Sequence, residues 1–245
     1  MPSGAEIFPY AVFAVFGLMT GSLAGALSYR LPRRQPVMID RSRCPSCKAT
    51  LKALDLIPVF SWLFFKGRCR HCQARISPRY LLIELAVMGL FLSALATAPN
   101  LWAAICLAYL GGALAVLAVA DLEQRILPDP MQLCAALLAL PWRYVTGADW
   151  QDMILGGLLG LGLGLGLRLG YCRLKGRHGL GLGDVKFLAV AGLWLGVENF
   201  PPFLLTAGLI GVVFGLIWRF FAKTPVFPFG PALCVALFLT LSFLY

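Results

Sequence analysis

Apolar segments of about 20 residues follow one another along almost the whole chain. A helix of about 20 apolar residues can cross a bilayer, because it satisfies its backbone hydrogen bonds internally. The chain is 60% hydrophobic and only 13% charged. The sequence therefore predicts an all-α polytopic protein with about eight transmembrane helices in a lipid bilayer. We place them near residues 9–29, 81–98, 101–120, 131–147, 153–170, 184–198, 202–220 and 227–245.

The basic residues predict how the chain is oriented. Most Lys and Arg fall in residues 30–79 and 168–186, which eight spans would place on one side, whereas Arg143 lies near the other side. The positive-inside rule then puts both termini outside and residues 30–80 in the cytoplasm. This asymmetry accounts for the net charge of +10, so no nucleic-acid partner is expected. The first span has Glu6 and no basic residue before it, which favours an anchor over a cleavable signal.

Residues 30–80 form the one sizeable soluble segment of the predicted topology. We divide the chain into a first transmembrane helix (1–29), a cytoplasmic zinc-binding domain (30–80) and a membrane protease domain (81–245). A segment of roughly 50 residues is too short for a stable apolar core unless something staples it. The cysteines of this segment offer such a staple.

Two C-x-x-C pairs lie in the soluble segment: Cys44 with Cys47, and Cys69 with Cys72. Four thiolates at this spacing suit a tetrahedral zinc ion, and the metal would stabilise the loop. Disulfides are the competing explanation, but the segment is expected on the reducing side of the membrane. A redox pair would need only one C-x-x-C in a thioredoxin-like surround. The pattern predicts a small zinc-ribbon-like insertion with structural zinc.

The fifth apolar segment is rich in glycine at four-residue spacing. Its two series are Gly156, Gly160, Gly164 and Gly162, Gly166, Gly170. Such spacing lets a neighbouring helix backbone approach closely, so we interpret it as helix packing.

Two aspartates lie at the ends of apolar helical segments. Asp121 ends the third predicted span and Asp184 begins the sixth, so the topology places both at the cytoplasmic face. A carboxylate at this depth is costly and indicates a site. One ionised and one protonated Asp would suit amide hydrolysis, with water activated by the first and the scissile carbonyl polarised by the second. Gly181 and Gly183 would leave room for a substrate backbone.

The acids also have structural explanations. Each Asp alone could cap a helix or pair with a nearby Lys or Arg. Asp129, between two prolines, is expected to be a helix N-cap, and Glu84 is expected to pair with Arg79 or another basic group. Lys186 is expected to extend toward the membrane interface.

Several blocks of the sequence, in this order, resemble the bacterial type IV prepilin peptidases. Asp121 with the Leu127-Pro128-Asp129 block is similar to the first catalytic motif of that family, and residues 181–184 (GLGD) are similar to its GxGD motif. Further blocks that carry the resemblance are GS (21–22), YRLP (29–32), SRCPSC (42–47), LDLIPVFSWL (54–63), GRCRHC (67–72), ISPRYLLIEL (76–85) and PFGP (228–231). One departure is His178, where many members carry Glu.

The resemblance implies an intramembrane aspartic endopeptidase of the bacterial inner membrane. It implies that Asp121 and Asp184 are catalytic, and that Cys44, Cys47, Cys69 and Cys72 bind zinc. Prepilins or pseudopilins would be cut after the glycine of a short basic leader at the cytoplasmic face. The new N-terminal residue would then be methylated with S-adenosylmethionine, for which the sequence offers no recognisable binding loop.

Two other functions stay open on the sequence. An ion-coupled transporter could use intramembrane carboxylates, but it would favour inverted repeats and broken helices at mid-membrane. A non-catalytic assembly factor could use the cysteine segment for docking, but it would leave the two aspartates and their glycines unexplained.

Overall fold

A computed structural model describes residues 4–37, 42–176, 179–222 and 227–244. These residues form nine α-helices and one 3₁₀ helix, and within the described ranges no β-strand is present, which confirms the predicted all-α fold. The helices are α1 (Gly4–Arg30), α2 (Phe60–Phe64), α3 (Arg79–Thr97), α4 (Leu101–Gln124), α5 (Asp129–Thr146), α6 (Trp150–Lys175), α7 (Leu182–Leu195), α8 (Phe200–Ala222) and α9 (Gly230–Phe243). The 3₁₀ helix is Ala53–Leu56.

Each of the eight predicted apolar segments corresponds to one long helix, but their lengths differ. Five helical segments of the described chain are long and apolar enough to cross a membrane, and they lie in α1, α3, α4, α6 and α8. Helix α7 has 14 residues and rises only about 21 Å, which is less than the hydrocarbon thickness of a bilayer. Helix α9 has the same length. The protein is a multi-pass membrane protein, and the count of eight spans stays a prediction.

Helix α4 is the centre of the bundle. It packs against α1, α3, α5 and α9, and buried small and branched side chains line most of its length. The apolar run from Leu101 to Ala120 has no charged residue, so the helix can be surrounded by protein on all sides. Its first charged residue, Asp121, therefore lies in the last turn, where the bundle core meets the helix end.

Helices α6 and α7 pack through glycine. A Cβ atom at Gly156 or Gly160 would overlap backbone atoms of Gly192 or Leu188, and one at Gly164 would lie 3.1 Å from the Cα of Val185. This series confirms the predicted close packing. Gly162, Gly166 and Gly170 have no neighbour within 4 Å of such a Cβ, so for the second series the packing interpretation was wrong.

Candidate active site

Helix ends bring the two predicted aspartates to the same end of the bundle. We call this end, formed by the last turn of α4 and the first turns of α5, α7 and α9, the acid end. Asp121 lies in the last turn of α4 and Asp184 in the first turn of α7. The two carboxyl groups are near enough to interact electrostatically with each other and with the buried thiol of Cys234 in α9.

Asp121 is held by a backbone amide from α9. Its side chain is buried, with a residue exposure of 7%, and its Oδ2 accepts a hydrogen bond from Gly230 N–H at 2.8 Å. The first N–H groups of a helix have no partner within the helix and bind anionic groups readily. Gly230 opens α9, so its amide supplies such a donor. This contact fixes one carboxylate oxygen of Asp121 and leaves the other available.

A close approach at Gly230 makes this contact possible. A Cβ atom at position 230 would lie 2.7 Å from Oδ2 of Asp121 and 2.9 Å from its Cγ. Any side chain at this position would therefore force the carboxyl group or the start of α9 to move. The block from Pro228 to Pro231 was noted in the sequence, but its spacing alone does not indicate which residue would meet Gly230.

Asp184 is the more accessible of the two acids. Its side chain is partly buried, and Gly181 and Leu182 just before it are exposed. The space beside the glycines is used by the protein itself: a Cβ at Gly181 would lie 3.0 Å from Oδ2 of Asp184, and one at Gly183 would lie 3.2 Å from Cβ of Leu127. Both glycine positions therefore lie against other groups of the protein, and the exposed residues of this segment lie at the start of α7.

Polar contacts join the segments that follow and precede the acids. Gln132 in α5 donates hydrogen bonds to the carbonyl oxygens of Leu127 and Gly183. Lys186 Nζ lies 2.7 Å from Oδ1 of Asp129. The N-cap prediction for Asp129 was wrong, because α5 begins at this residue and Pro128 precedes it. The extension of Lys186 toward the membrane interface stays a prediction.

Contacts of α3 with α1 and α4 complete the acid end. The Arg79 guanidinium pairs with Glu123, two residues after Asp121, and donates to Ser28 Oγ at 2.8 Å and to the Gly25 carbonyl at 3.1 Å. Glu84 does not pair with Arg79, contrary to the prediction. Its buried Oε2 instead accepts a hydrogen bond from Val59 N–H at 2.7 Å, which ties the cysteine segment to the membrane helices.

Four cysteines gather into a second candidate site. The sulfur atoms of Cys44, Cys47, Cys69 and Cys72 all lie within 4.8 Å of one another. The two C-x-x-C turns have the same construction: Cys44 N–H donates to Ala49 O, and Cys69 N–H donates to Ala74 O. Each turn is closed by an isolated antiparallel bridge, Arg43 with Thr50 and Arg68 with Arg75. The neighbouring His71 is exposed, as expected of a residue outside the ligand set.

The spacing of these sulfurs fits a tetrahedral metal ion. Zn–S bonds of about 2.3 Å place tetrahedral ligand atoms about 3.8 Å apart. Cys44 Sγ and Cys72 Sγ are 3.8 Å apart, nearly twice the S–S distance of a disulfide. A hydrogen bond from the Cys47 backbone lowers the pKa of the Cys44 thiol to about 6, which favours the thiolate that a metal requires. The cluster could therefore bind a metal ion.

The remaining cysteines do not belong to this cluster. Cys106 and Cys234 are buried in the bundle, whereas Cys134 on α5 is exposed. His178, which departs from the pattern of the resembled family, lies outside the described residues.

The fold and these sites define a helical membrane protein with a pair of aspartates at one end of its bundle and a separate four-cysteine cluster. Comparison with known proteins identifies the family. Residues 15–98 match the bacterial peptidase A24 N-terminal domain, and residues 108–216 match the type IV leader peptidase family. Three relatives, all called prepilin leader peptidase/N-methyltransferase, match over most of their length. The chain belongs to the type IV leader peptidase family.

The similarity to these relatives extends over nearly the whole chain. The protein from Aeromonas salmonicida is 32% identical, with 93% of this chain and 88% of the relative aligned. The protein from Pectobacterium carotovorum is 34% identical, with 94% and 93% aligned. The protein from Burkholderia pseudomallei is 36% identical, with 99% and 87% aligned. No solved structure gives a significant match.

Two residues of the acid end were not identified from the sequence. The contacts of Gly230 and Gln132 depend on how α4, α5, α7 and α9 meet. A glutamine in the first turn of a helix, close after Pro128 and Pro130, carries no recognisable signal of its own. Only the position of Gly230, inside a block that resembles a family motif, could have drawn attention to it.

Proposed function

We propose that this protein cleaves the leader peptide from type IV prepilins or related pseudopilins, with Asp121 and Asp184 as the catalytic pair. The observation that carries the proposal is the convergence of the two carboxyl groups at one end of the bundle, with Gly230 N–H on Asp121. Family membership and the names of the relatives support the same activity.

In the proposed reaction, one aspartate is ionised and the other is protonated. The ionised carboxylate accepts a proton from a water molecule, whose oxygen attacks the scissile carbonyl carbon. The protonated carboxyl donates a hydrogen bond to the carbonyl oxygen and stabilises the tetrahedral intermediate. When the C–N bond breaks, the leaving amine takes up the proton that came from water. The proton distribution is a property of the pair and not of either residue alone.

The partial exposure of Asp184 suits this chemistry. A peptide in the bilayer must reach the pair from the membrane boundary, where its leader meets water. The exposed residues Gly181 and Leu182 provide such an opening at the start of α7. Buried Asp121 would then lie on the protein side of the scissile bond, with its carboxyl group held by Gly230.

We propose that Cys44, Cys47, Cys69 and Cys72 bind one structural zinc ion. The ion would cross-link the two C-x-x-C turns, which together with the short helices Ala53–Leu56 and Phe60–Phe64 form most of the insertion. Removing the metal would unfold the insertion, because it has little apolar core of its own.

The second proposed activity is methylation of the new N-terminal residue, with S-adenosylmethionine as the methyl donor. The names of the relatives support it. We assign no residue to the donor and derive no step from it.

The proposed location is the bacterial inner membrane, with the acid end and the cysteine segment facing the cytoplasm. The basic residues of segment 30–79 support this orientation by the positive-inside rule. The proposed division into 1–29, 30–80 and 81–245 rests on the same topology. Reporter fusions after residue 52 and after residue 148 should report opposite sides of the membrane, and the same side for both would contradict the orientation.

A cleavage assay with purified components tests the proposed activity. The protein, reconstituted in lipid vesicles, should cut a full-length type IV prepilin once, at the end of its leader. Asp121→Asn and Asp184→Asn should each leave the prepilin uncut. If both variants still cleave the prepilin at the wild-type rate, the pair is not catalytic. If the wild type does not cleave it, the proposed function is contradicted.

A further inference from the structure

One buried amide connects the two segments that carry the proposed catalytic acids. Gln132 is 3% exposed and lies in the first turns of α5. Its Nε2 donates to the carbonyl oxygen of Leu127 at 3.2 Å and to that of Gly183 at 3.3 Å. Leu127 belongs to the short segment between Asp121 and α5, and Gly183 directly precedes Asp184. The amide group thus joins the segment between α4 and α5 to the start of α7 through hydrogen bonds to the backbone.

The orientation of this side chain is determined by its partners. Both N–H groups of the amide face carbonyl oxygens, so an inverted amide would place Oε1 against two acceptors. In the observed orientation, Oε1 is buried and has no hydrogen-bond partner among the described protein atoms. An unsatisfied buried acceptor costs about 1–3 kcal/mol. An apolar side chain would avoid that cost but would also lose both hydrogen bonds to the carbonyl oxygens.

The other contacts at this junction are weaker. Lys186 and Asp129 form an ion pair whose side chains are 51% and 69% exposed, and ion pairs this exposed contribute little to stability. Leu127 packs on Gly183, but an apolar contact does not fix the relative orientation of the two segments. Gln132 therefore provides the directional contact between the end of the Asp121 segment and the start of the Asp184 helix.

We propose that Gln132 is a positioning residue for the acid pair. Its two hydrogen bonds set the separation of the Asp121 and Asp184 backbones, so that one water molecule and one scissile carbonyl fit between the carboxyl groups. The inference rests on the proposed function. A shift of about 1 Å between reacting groups can lower a rate by about a hundredfold, so losing this contact should slow the chemical step more than it weakens substrate binding.

A second bond between the same two helices provides a matched control. Trp194 Nε1 donates to the Ala135 carbonyl at 2.8 Å, and Trp194 lies next to the last residue of α7, far along that helix from Asp184. Trp194→Phe removes this buried hydrogen bond between α5 and α7 and keeps an aromatic ring. It should lower the melting temperature without altering the chemical step.

The test is a single-turnover cleavage assay with saturating enzyme in excess over a full-length prepilin, because the saturating rate constant does not depend on the fraction of inactive enzyme. Gln132→Met keeps the length and removes both donors, and Gln132→Asn keeps the amide but reaches at most one carbonyl. We expect the saturating rate constant to fall about tenfold or more in Gln132→Met and by a smaller factor in Gln132→Asn. The enzyme concentration at half-saturation should change less than threefold.

Each outcome decides the inference. Wild-type rate constants for Gln132→Met overturn it, as does an equal fall in the rate constant of Trp194→Phe. If Gln132→Met does not fold, Gln132→Asn carries the test, and a wild-type rate constant in that variant overturns it. Asp121→Asn and Asp184→Asn are measured beside these variants. If they cleave normally, the proposed function fails; if they are inactive and the Gln132 variants are normal, only this inference fails.

Discussion

Gly230→Ala tests the geometry around Asp121 most sharply. The new Cβ would lie 2.7 Å from Oδ2, 2.9 Å from Cγ and 3.0 Å from Cβ of Asp121. Contacts this short cannot persist, so either the carboxyl group or the start of α9 must move. Asp121 is buried in the last turn of α4 and has little room to turn away.

The expected magnitude follows from the contact that is disturbed. Stretching or breaking the 2.8 Å hydrogen bond from Gly230 N–H to the carboxylate should cost about 1.5–3 kcal/mol, the usual contribution of a hydrogen bond to a charged group. A displacement of the carboxyl group by roughly 1 Å should lower the cleavage rate by about a hundredfold. The single-turnover rate constant on a prepilin measures the second effect, and thermal unfolding in detergent measures the first.

Gly208→Ala is the control for this substitution. Gly208 lies within α8, and a Cβ there would meet nothing within 4 Å. Alanine at that position should leave both the rate constant and the melting temperature close to wild type. A Gly230→Ala protein that cleaves at the wild-type rate would refute the argument that the α9 amide holds Asp121 in place.

Three further predictions concern the metal, the buried glutamate and pH. Cys44→Ser with Cys47→Ser should remove about one zinc ion per chain, measured by metal analysis of the purified protein, and should increase proteolysis within residues 42–79; a folded wild type without metal would contradict this. Glu84→Ala should leave Val59 N–H without its acceptor and destabilise this contact by about 1–3 kcal/mol, which faster proteolysis near Val59 would report. Glu198→Ala, at an exposed residue, should leave that proteolysis unchanged. If one carboxyl group must be protonated and the other ionised, the cleavage rate should follow a bell-shaped pH profile, and a rate that rises steadily from pH 4 to 9 would exclude the pair mechanism.

The sequence predicted the helices and the clustering of the four cysteines because both signals are local. An uninterrupted apolar run such as Leu101–Ala120 must be helical in a membrane, and two C-x-x-C pairs restrict a short loop to a few arrangements. The sequence also placed Asp121 and Asp184 at one end, because the number of helices between them decides the side on which each one emerges.

Contacts between helix ends could not be predicted from the sequence. The partner of Glu84 is the backbone of Val59, which has an unusual positive φ of 62°, and no sequence pattern announces such a conformation. The prediction for Asp129 placed the start of α5 one residue too late, and its ion pair with Lys186, 57 residues away, has no local signal. Gln132 and Gly230 were missed for the same reason, since their roles depend on the packing of four helices.

The apolar pattern of the sequence also did not predict the length of α7. Its apolar run suggested a span near 184–198, but the helix ends at Leu195, and Gly196 follows with a φ of 73°. That conformation favours glycine and stops the helix. Asp184 lies in the first turn of this short helix, so it stays at the acid end of the bundle wherever the helix ends.

The central claim is that Asp121 and Asp184 act as one catalytic unit. The most direct test compares single-turnover cleavage of a prepilin by Asp121→Asn, Asp184→Asn and the double variant, with folding checked by thermal unfolding. Residues that act as a unit are strongly non-additive. We predict that each single variant loses at least about a thousandfold in rate, within the range expected for general acid–base groups, and that the double variant loses no more. Wild-type cleavage by either single variant, or losses that multiply in the double variant, would contradict the claim.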